Sequence, residues 1–487
     1  MTSIAIGIDL ATANARVLAL DVETGAVCAQ SAAPLPAPVR TLDGGSTQAA
    51  EYWPIVQRLL GAVTDALGSR RLDIRAISAT GTSGSVVPAD ARNRPLGPTA
   101  LYDDSRGAGL REAVEAAGVP WATGSQLARI ASLREWLPAD RYISTADVVL
   151  SALAGAALPS DVSHFLKAGI GVRERQWSTS ALEAVGLPAE VLPELAASGI
   201  VLGHVCPDAA ALTGIPVGTA IVSGMTDGCT AQIAAGGVRD GDTIGVLGTT
   251  LVLKAVSSVP VTSPVVYSHQ APDGLWWPGG ASNSGAGAIG PEFRDSGRAL
   301  ESWGSAALES GPSPIVGYPL ASPGERFPFT DPRAVGFFSG RAASPVERYR
   351  TLMEGVAFVE RLGLETLEAE GVAGRRHLAA GGASASASWV QIRASVLRRP
   401  VSVAGSEASS LGAAILAATG ADSGSDFGDV VGRLTRVATV VDPDHRETDR
   451  LDESYARFTG ELLSRGYLTG SDDRDGRGAT PSHHHGS

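Results

Sequence analysis

Gly224-Met225-Thr226-Asp227-Gly228-Cys229 is the stretch on which the reading of this chain turns. The run Ala220-Ile221-Val222-Ser223 leads into it and reads as a strand, while Thr230-Ala231-Gln232-Ile233-Ala234-Ala235 leads away and reads as a helix. Asp227 therefore stands at a strand-to-helix turn. Further on, Gly245-Val246-Leu247-Gly248-Thr249-Thr250 is a second apolar strand, ending in a small-residue turn that could cradle a phosphate. An acid at one strand end and a phosphate-sized turn at another suggest a base facing a nucleotide. Asp is also a preferred N-cap for a following helix, and these residues alone leave both readings open.

Composition narrows the classes. The chain has 487 residues, enough for two or three domains with cores of their own, and its 44% hydrophobic content is that of a globular protein. A formal net charge of -12 disfavours nucleic acid and anionic membrane as partners, but not a small phosphorylated ligand in a local pocket. The basic residues are nearly all arginine, with only Lys167 and Lys254 as lysines. No GxxxxGK[ST], HExxH or GxSxG motif occurs, which removes support for P-loop, metalloprotease and hydrolase-elbow chemistry. Cys28, Cys206 and Cys229 share no CxxC spacing, and no leader-like segment opens the chain, so a reducing, cytoplasmic setting is expected. Cys229 has no dedicated base and is expected to be buried filler.

Working outward, Ile4-Ala5-Ile6-Gly7-Ile8-Asp9 and Ala15-Arg16-Val17-Leu18-Ala19-Leu20-Asp21 read as strands of a hairpin. The small turn between them, Leu10-Ala11-Thr12-Ala13-Asn14, could present backbone N–H groups to a phosphate. Residues 51–67 have helical spacing, residues 74–79 read as a strand, and residues 177–185 and 188–197 as short helices. Tyr102-Asp103-Asp104-Ser105-Arg106 could hold sugar hydroxyls or form an ion-pair turn. Residues 242–247 and 251–256 form a second hairpin around Gly248-Thr249-Thr250, echoing the first. Ser344 before Pro345 starts a long helix. Gly381-Gly382-Ala383-Ser384 follows a strand and precedes a helix, where backbone donors gather. The small-residue helix over residues 409–418 is expected to pack closely on a sheet. Two hairpins, one opening each half, imply a duplicated α/β fold with a central cleft. Its domains are expected at residues 1–236 and 237–468, with a disordered tail at 469–487.

These segments together resemble the FGGY family of carbohydrate kinases, whose fold is the duplicated actin/hexokinase-like (ribonuclease H-like) one. Ile6-Gly7-Ile8-Asp9 with Thr12 resembles its first phosphate motif, and Leu101-Tyr102-Asp103-Asp104-Ser105-Arg106 its substrate segment. The 224–231 stretch resembles the segment with the catalytic base, and Leu247-Gly248-Thr249-Thr250 the second phosphate motif. Gly324-Glu325-Arg326-Phe327-Pro328 is similar to its Gly-Glu-Arg-x-Pro signature, and Gly381-Gly382-Ala383-Ser384 with Gly412-Ala413-Ala414 to its adenosine motif and helix. Residues 226–234 and Gly279-Gly280-Ala281-Ser282-Asn283 are most similar to the D-ribulose kinase (xylulose kinase-like) branch. The xylulose kinase pattern has Met-His where Thr82-Ser83 stand. Two family glycines are replaced, by Ala11 and Ala383, and Ala11 would be strained if its turn needs positive φ.

The resemblance implies an ATP-dependent kinase that phosphorylates a terminal hydroxyl of a ketopentose, D-ribulose first, with D-xylulose or another polyol as the alternative. It implies Asp227 as general base, with Asp9 beside it organising Mg2+ directly or through water. Asp9, Ala13, Asn14, Ala15, Arg16, Ser83, Asp104 and Asp227 are the sugar-side candidates. Thr12, Gly248, Thr249, Thr250, Gly287, Gly381, Gly382, Ala383 and Ser384 are the nucleotide-side candidates. The partners are the sugar and ATP, with no nucleic acid and no membrane; a homodimer is left open. Two other classes stay open: a catalytically silent sugar- or nucleotide-binding protein on the same fold, and an actin-like ATPase acting on protein.

Overall fold

The computed structural model describes residues 3–261, 263–422 and 424–468. The expected tail at 469–487 lies outside the described residues. In chain order, the elements that bear on function are β1 (Ile4–Leu10), β2 (Asn14–Asp21), β3 (Val27–Pro34), α1 (Tyr52–Leu67), β4 (Ile74–Gly81), β5 (Val201–His204), β6 (Ala220–Val222) and α2 (Asp227–Ala235). They continue as β7 (Asp242–Leu247), β8 (Leu251–Ala255), β9 (Trp276–Ser282), α3 (Pro345–Ala369), β10 (Arg376–Ala380), α4 (Ala387–Leu397), β11 (Val401–Ala404) and α5 (Ser409–Ala421).

The described residues fall into two compact units. The first gathers those of Met1–Ile244, Ala255–Pro278 and Ala404–Thr439; the second gathers those of Gly245–Lys254, Gly279–Val403 and Val440–Ser487. The units thus do not follow a single boundary after residue 236. The reason is packing. Val238, Val256, Trp277, Leu411, Ile415 and Phe427 share one buried cluster with Leu18, Met225 and Ile233.

The first unit carries a mixed six-stranded sheet in the order β5-β6-β4-β1-β2-β3. β1, β4 and β6 run parallel, and β1-β2-β3 form the antiparallel part. Strand periodicity explains how β1 is covered on both faces. Ile4, Ile6 and Ile8 point into a cluster with Ile55, Val56, Leu59 and Leu60 of α1, whose helical spacing supplies one apolar face. The opposite face of β1 carries Ala5 and Gly7, because α5 lies against it. A Cβ on Gly7 would stand 1.9 Å from the Ser410 carbonyl oxygen and 2.4 Å from the Ala414 nitrogen. α5 is buried from Ser410 to Ala418, as its small residues suggested.

In a second sheet β9-β8-β7-β10-β11 follow one another, with β8 and β9 antiparallel and β10 and β11 parallel. The helix α3 starts at the Ser344 cap, whose hydroxyl accepts from the Glu347 nitrogen, with Pro345 at its first position. Residues 188–197 do not form the expected short helix. They make one 3-10 turn, Ala189–Val191, then a strand, Leu195–Ala196, paired with Ser160–Asp161. Pro193 has no N–H to continue a helical ladder. Among the described residues no helix is long and apolar enough to cross a membrane.

Candidate active site

The carboxyl ends of parallel strands are where α/β sheets bind ligands. In the first unit, β1 delivers Asp9, β4 delivers Gly81 and the turn after it, and β6 leads to Asp227. Backbone pairing sets these ends side by side: Asp9 faces Thr80, Leu10 faces Gly81, and Gly81 bridges to Thr226.

Asp9 is 3% exposed. Its Oδ2 accepts from Arg16 Nη1 at 3.0 Å, across the hairpin, where Asp9 and Arg16 are register partners. Its Oδ1 is buried with no hydrogen-bond partner. Burial pushes the Asp9 carboxyl up to about 6; the Asp227 charge pushes the same way, and Arg16 opposes both. A buried acid whose carboxyl is raised by burial and a like charge is a functional-site candidate.

Asp227 is the first residue of α2, and Thr226 holds the N-cap position without a side-chain cap bond. The Asp227 carboxylate therefore does not cap its helix in the usual way; its Oδ1 accepts only locally, from the Gly228 nitrogen at 2.7 Å. Its backbone carbonyl accepts from Ser409 Oγ at 3.2 Å, which ties α2 to α5. A Cβ on Gly412 would meet the Thr230 carbonyl oxygen at 1.8 Å, so the two helices touch backbone to backbone.

The other sugar-side candidates divide. Asn14 and Ser83 are half-buried, and Ala13 and Arg16 are exposed on the same hairpin. Ala15 is 0% exposed and packs into the core, so its side chain cannot touch a sugar in this arrangement. Asp104 is buried, accepting from the Ser46 nitrogen at 3.0 Å and from Arg106 at its backbone nitrogen and guanidinium. Asp103 pairs with Arg40 at 3.0 Å. Of the two readings of this loop, the ion-pair turn describes both acids.

Sequence reasoning missed what fixes this loop. Arg129 is buried and donates to the carbonyls of Gly84 at 2.8 Å, Tyr102 at 2.6 Å and Asp104 at 3.0 Å. Burial lowers its guanidinium to about 10. One arginine thus joins the turn after β4 to the 102–104 loop. Nothing in the sequence near Arg129 signals this, since its acceptors are backbone atoms.

In the second unit the nucleotide-side candidates come together, whereas Thr12 stands in the first. The Gly287 nitrogen donates to the Thr249 carbonyl at 3.0 Å, and the Ala286 nitrogen to Gly248 at 3.0 Å. Gly381 has φ +90°, and a Cβ there would meet the Leu247 carbonyl oxygen at 2.4 Å. Gly248, Thr249, Thr250, Gly287 and the Gly381-Gly382-Ala383-Ser384 turn therefore share one edge of this unit. Ala11 and Ala383 are not among the non-glycine residues with positive φ, so neither alanine is strained.

Behind that edge lies a buried cluster. Arg393 donates to Glu360 at 2.6 and 2.7 Å, to the Gly245 carbonyl at 3.0 Å and to Ser384 Oγ at 3.5 Å. His377 Nε2 stands 3.1 Å from Glu360. Burial would raise the Glu360 carboxyl, but Arg393 and His377 hold it well below its usual range. Glu325 of the Gly-Glu-Arg-x-Pro stretch accepts from Ser282 Oγ at 2.8 Å, the Asn283 nitrogen at 2.7 Å and Tyr318 Oη at 2.7 Å. That glutamate anchors the loop after β9.

Magnesium takes few carboxylates and keeps several waters and phosphate oxygens. One buried carboxylate with one unpartnered oxygen, as Asp9 presents, fits such an ion. Among the described residues no group of three or more His, Cys, Asp and Glu is placed to cage a metal.

Comparison with known proteins is consistent across the chain. The N-terminal domain of the FGGY family of carbohydrate kinases matches residues 4–127 and 139–234, and the family's C-terminal domain matches residues 244–421. A xylulose kinase of Bacillus subtilis is 24% identical over 85% of this chain and 88% of its own. A ribulokinase of Mycolicibacterium smegmatis is 29% identical over 53% of this chain and 50% of its own. The crystal structure of xylulose kinase from Rhodospirillum rubrum superposes with a TM-score of 0.85 at 25% identity, covering 95% of this chain and 99% of that one.

Proposed function

Because the chain belongs to the FGGY family of carbohydrate kinases, and so is a sugar kinase with the two-domain actin-like fold, we propose that it transfers the γ-phosphoryl group of ATP to a terminal hydroxyl of a ketopentose, D-ribulose first, with Asp227 as general base. The observation that carries this reading is the pairing of two acids at the ends of parallel strands. Asp9 is buried, with a free oxygen and a carboxyl raised to about 6 in part by Asp227. Asp227 heads its helix, and its carboxylate accepts from the adjacent Gly228 nitrogen.

Phosphoryl transfer needs alignment and charge neutralisation more than covalent help. The sugar's terminal oxygen attacks the γ-phosphorus, an O–P bond forms, and the bond to the β,γ-bridging oxygen breaks. The products are the sugar phosphate and ADP. The hydroxyl proton passes to the Asp227 carboxylate, a step that contributes about 10²–10⁴-fold in typical enzymes. Asn14, Arg16 and Ser83 would bind sugar oxygens, and Asp104 and Arg129 would shape the loops around them rather than react. Thr12, Gly248, Thr249, Thr250 and Gly287 would hold phosphates, with the Gly381-Gly382-Ala383-Ser384 turn beside the adenosine. Asp9 would hold Mg2+, whose chemistry when bound is to neutralise charge on the phosphates.

D-xylulose is the second reading, and the xylulose kinase of Bacillus subtilis among the relatives favours it. Against it stand Thr82-Ser83, where the xylulose pattern has Met-His, and residues 226–234. The experiment is ATP consumption with Mg2+ across D-ribulose, D-xylulose, L-ribulose, L-xylulose, ribitol and glycerol. Preference for D-ribulose supports the proposal. Preference for another member keeps the kinase and discards D-ribulose. ATP binding without turnover on any of them favours a silent binding protein.

A further inference from the structure

We propose that Thr80 and Ser163 are positioning residues for Asp227, clamping the Met225–Thr226 peptide one residue ahead of it from both sides, and that buried Asp161 fixes the polarity of that clamp. The inference rests on the reading of Asp227 as the base.

The peptide in question joins Met225 to Thr226. Its carbonyl oxygen accepts from Thr80 Oγ1 at 2.7 Å. Its N–H donates to Ser163 Oγ at 2.9 Å. Both hydroxyls are shut away from water, Thr80 at 0% and Ser163 at 2% exposure. Each comes from a different part of the chain: Thr80 from the end of β4, and Ser163 from the 3-10 segment Val162–Ala168.

A serine hydroxyl has one proton to give and two lone pairs to offer. The Ser163 proton is directed to Asp161 Oδ1 at 2.5 Å, and the Ser163 backbone nitrogen donates to the same oxygen at 2.9 Å. What remains to face Thr226 is a lone pair, so the clamp has a single polarity. The other oxygen of Asp161 meets His164 Nδ1. Burial alone would lower the His164 imidazole, but Asp161, with Asp147 and Asp227 near, holds it above its ordinary value.

The arrangement also accounts for an oddity of α2. Thr226 stands at the N-cap without capping through its side chain. The start of the helix is held by tertiary hydrogen bonds instead, and the residue so held is the neighbour of Asp227. Fixing that peptide plane anchors the backbone one residue ahead of Asp227, so a shift there carries into the position of its carboxylate. A displacement of about 1 Å in such a group can cost about 10²-fold in rate.

The test compares kcat and KM for Thr80→Val, Ser163→Ala and Thr80→Ser with the parent enzyme, using the sugar preferred in the substrate panel. Thr80→Val and Ser163→Ala should each lower kcat by about 10–100-fold while KM for sugar and ATP stays within a few-fold. Thr80→Ser keeps the hydroxyl and should recover most of the rate. If Ser163→Ala does not fold, Ser163→Cys keeps the size and weakens the acceptor, and Thr80→Val puts the same question from the carbonyl side. Any folded variant without the hydroxyl that keeps kcat within twofold overturns the inference, as does a loss confined to melting temperature. Asp227→Asn separates the two claims. If it is inactive while Ser163→Ala runs at full rate, only the clamp falls; if it is fully active, the base reading falls.

Discussion

Replacing Asp9 by asparagine should stabilise the protein at neutral pH while destroying its activity. The Asp9 carboxyl is raised from 3.8 to about 6, with burial as the main cause. A carboxyl whose folded value is raised binds its proton more tightly when folded than when unfolded. Stability through this group is therefore full at low pH and is lost as pH rises from about 4 to about 6. A shift of about two units is about 3 kcal/mol at about 1.4 kcal/mol per unit. Asp9→Asn removes the charge and keeps an acceptor for Arg16, so it should gain up to about 3 kcal/mol above pH 7 and only about 1 kcal/mol near pH 4.5. Urea denaturation of the ligand-free protein at both pH values measures the difference directly. An Asp9→Asn variant that is no more stable at pH 7.5, or whose advantage does not grow between pH 4.5 and 7.5, would refute the reasoning. Such a gain at a site that loses function is the usual signature of strain kept for activity.

Three further outcomes follow from the geometry. Gly412→Ala would drive a methyl into the Thr230 carbonyl oxygen, 1.8 Å from an ideal Cβ; overpacking of this kind costs about 1–3 kcal/mol or more, and soluble yield and melting temperature should fall sharply. Arg393→Met would leave Glu360 buried without its main partner, a change worth about 3–5 kcal/mol and read as a lower urea midpoint. Gly381→Ala places a side chain at φ +90° against the Leu247 carbonyl, so ATP affinity should drop by at least about tenfold in a calorimetric titration while sugar binding holds.

Much of this was legible in the residues because the signals were local. The β1–β2 hairpin follows from alternating Ile4, Ile6 and Ile8 and from the small turn at Ala11. The Ser344-Pro345 start of α3 is a cap with a steric reason behind it. The small-residue run of α5 announced a close helix–sheet contact before its partner strand was known. What stayed hidden was non-local or backbone-mediated. Arg129 binds three carbonyls, and a carbonyl carries no residue identity. Glu360 and Arg393 are separated by helix, strand and turn, and a buried ion pair leaves no periodic mark. At Asp104 an acid beside an arginine serves either purpose in the sequence, and its partners, the Ser46 nitrogen and the Arg106 guanidinium, come into view only in the fold. Residues 188–197 have the apolar spacing of a short helix, but Pro193 cannot extend the ladder and the segment ends in the strand Leu195–Ala196.

The most direct test of the central claim is kcat for Asp227→Asn with Mg2+ and ATP, set beside its affinity for both substrates. The account expects a folded protein that binds sugar and ATP as the parent does and turns over at least about 10²–10⁴-fold more slowly. A variant that phosphorylates the sugar at the parent rate would contradict it and remove Asp227 from the chemistry.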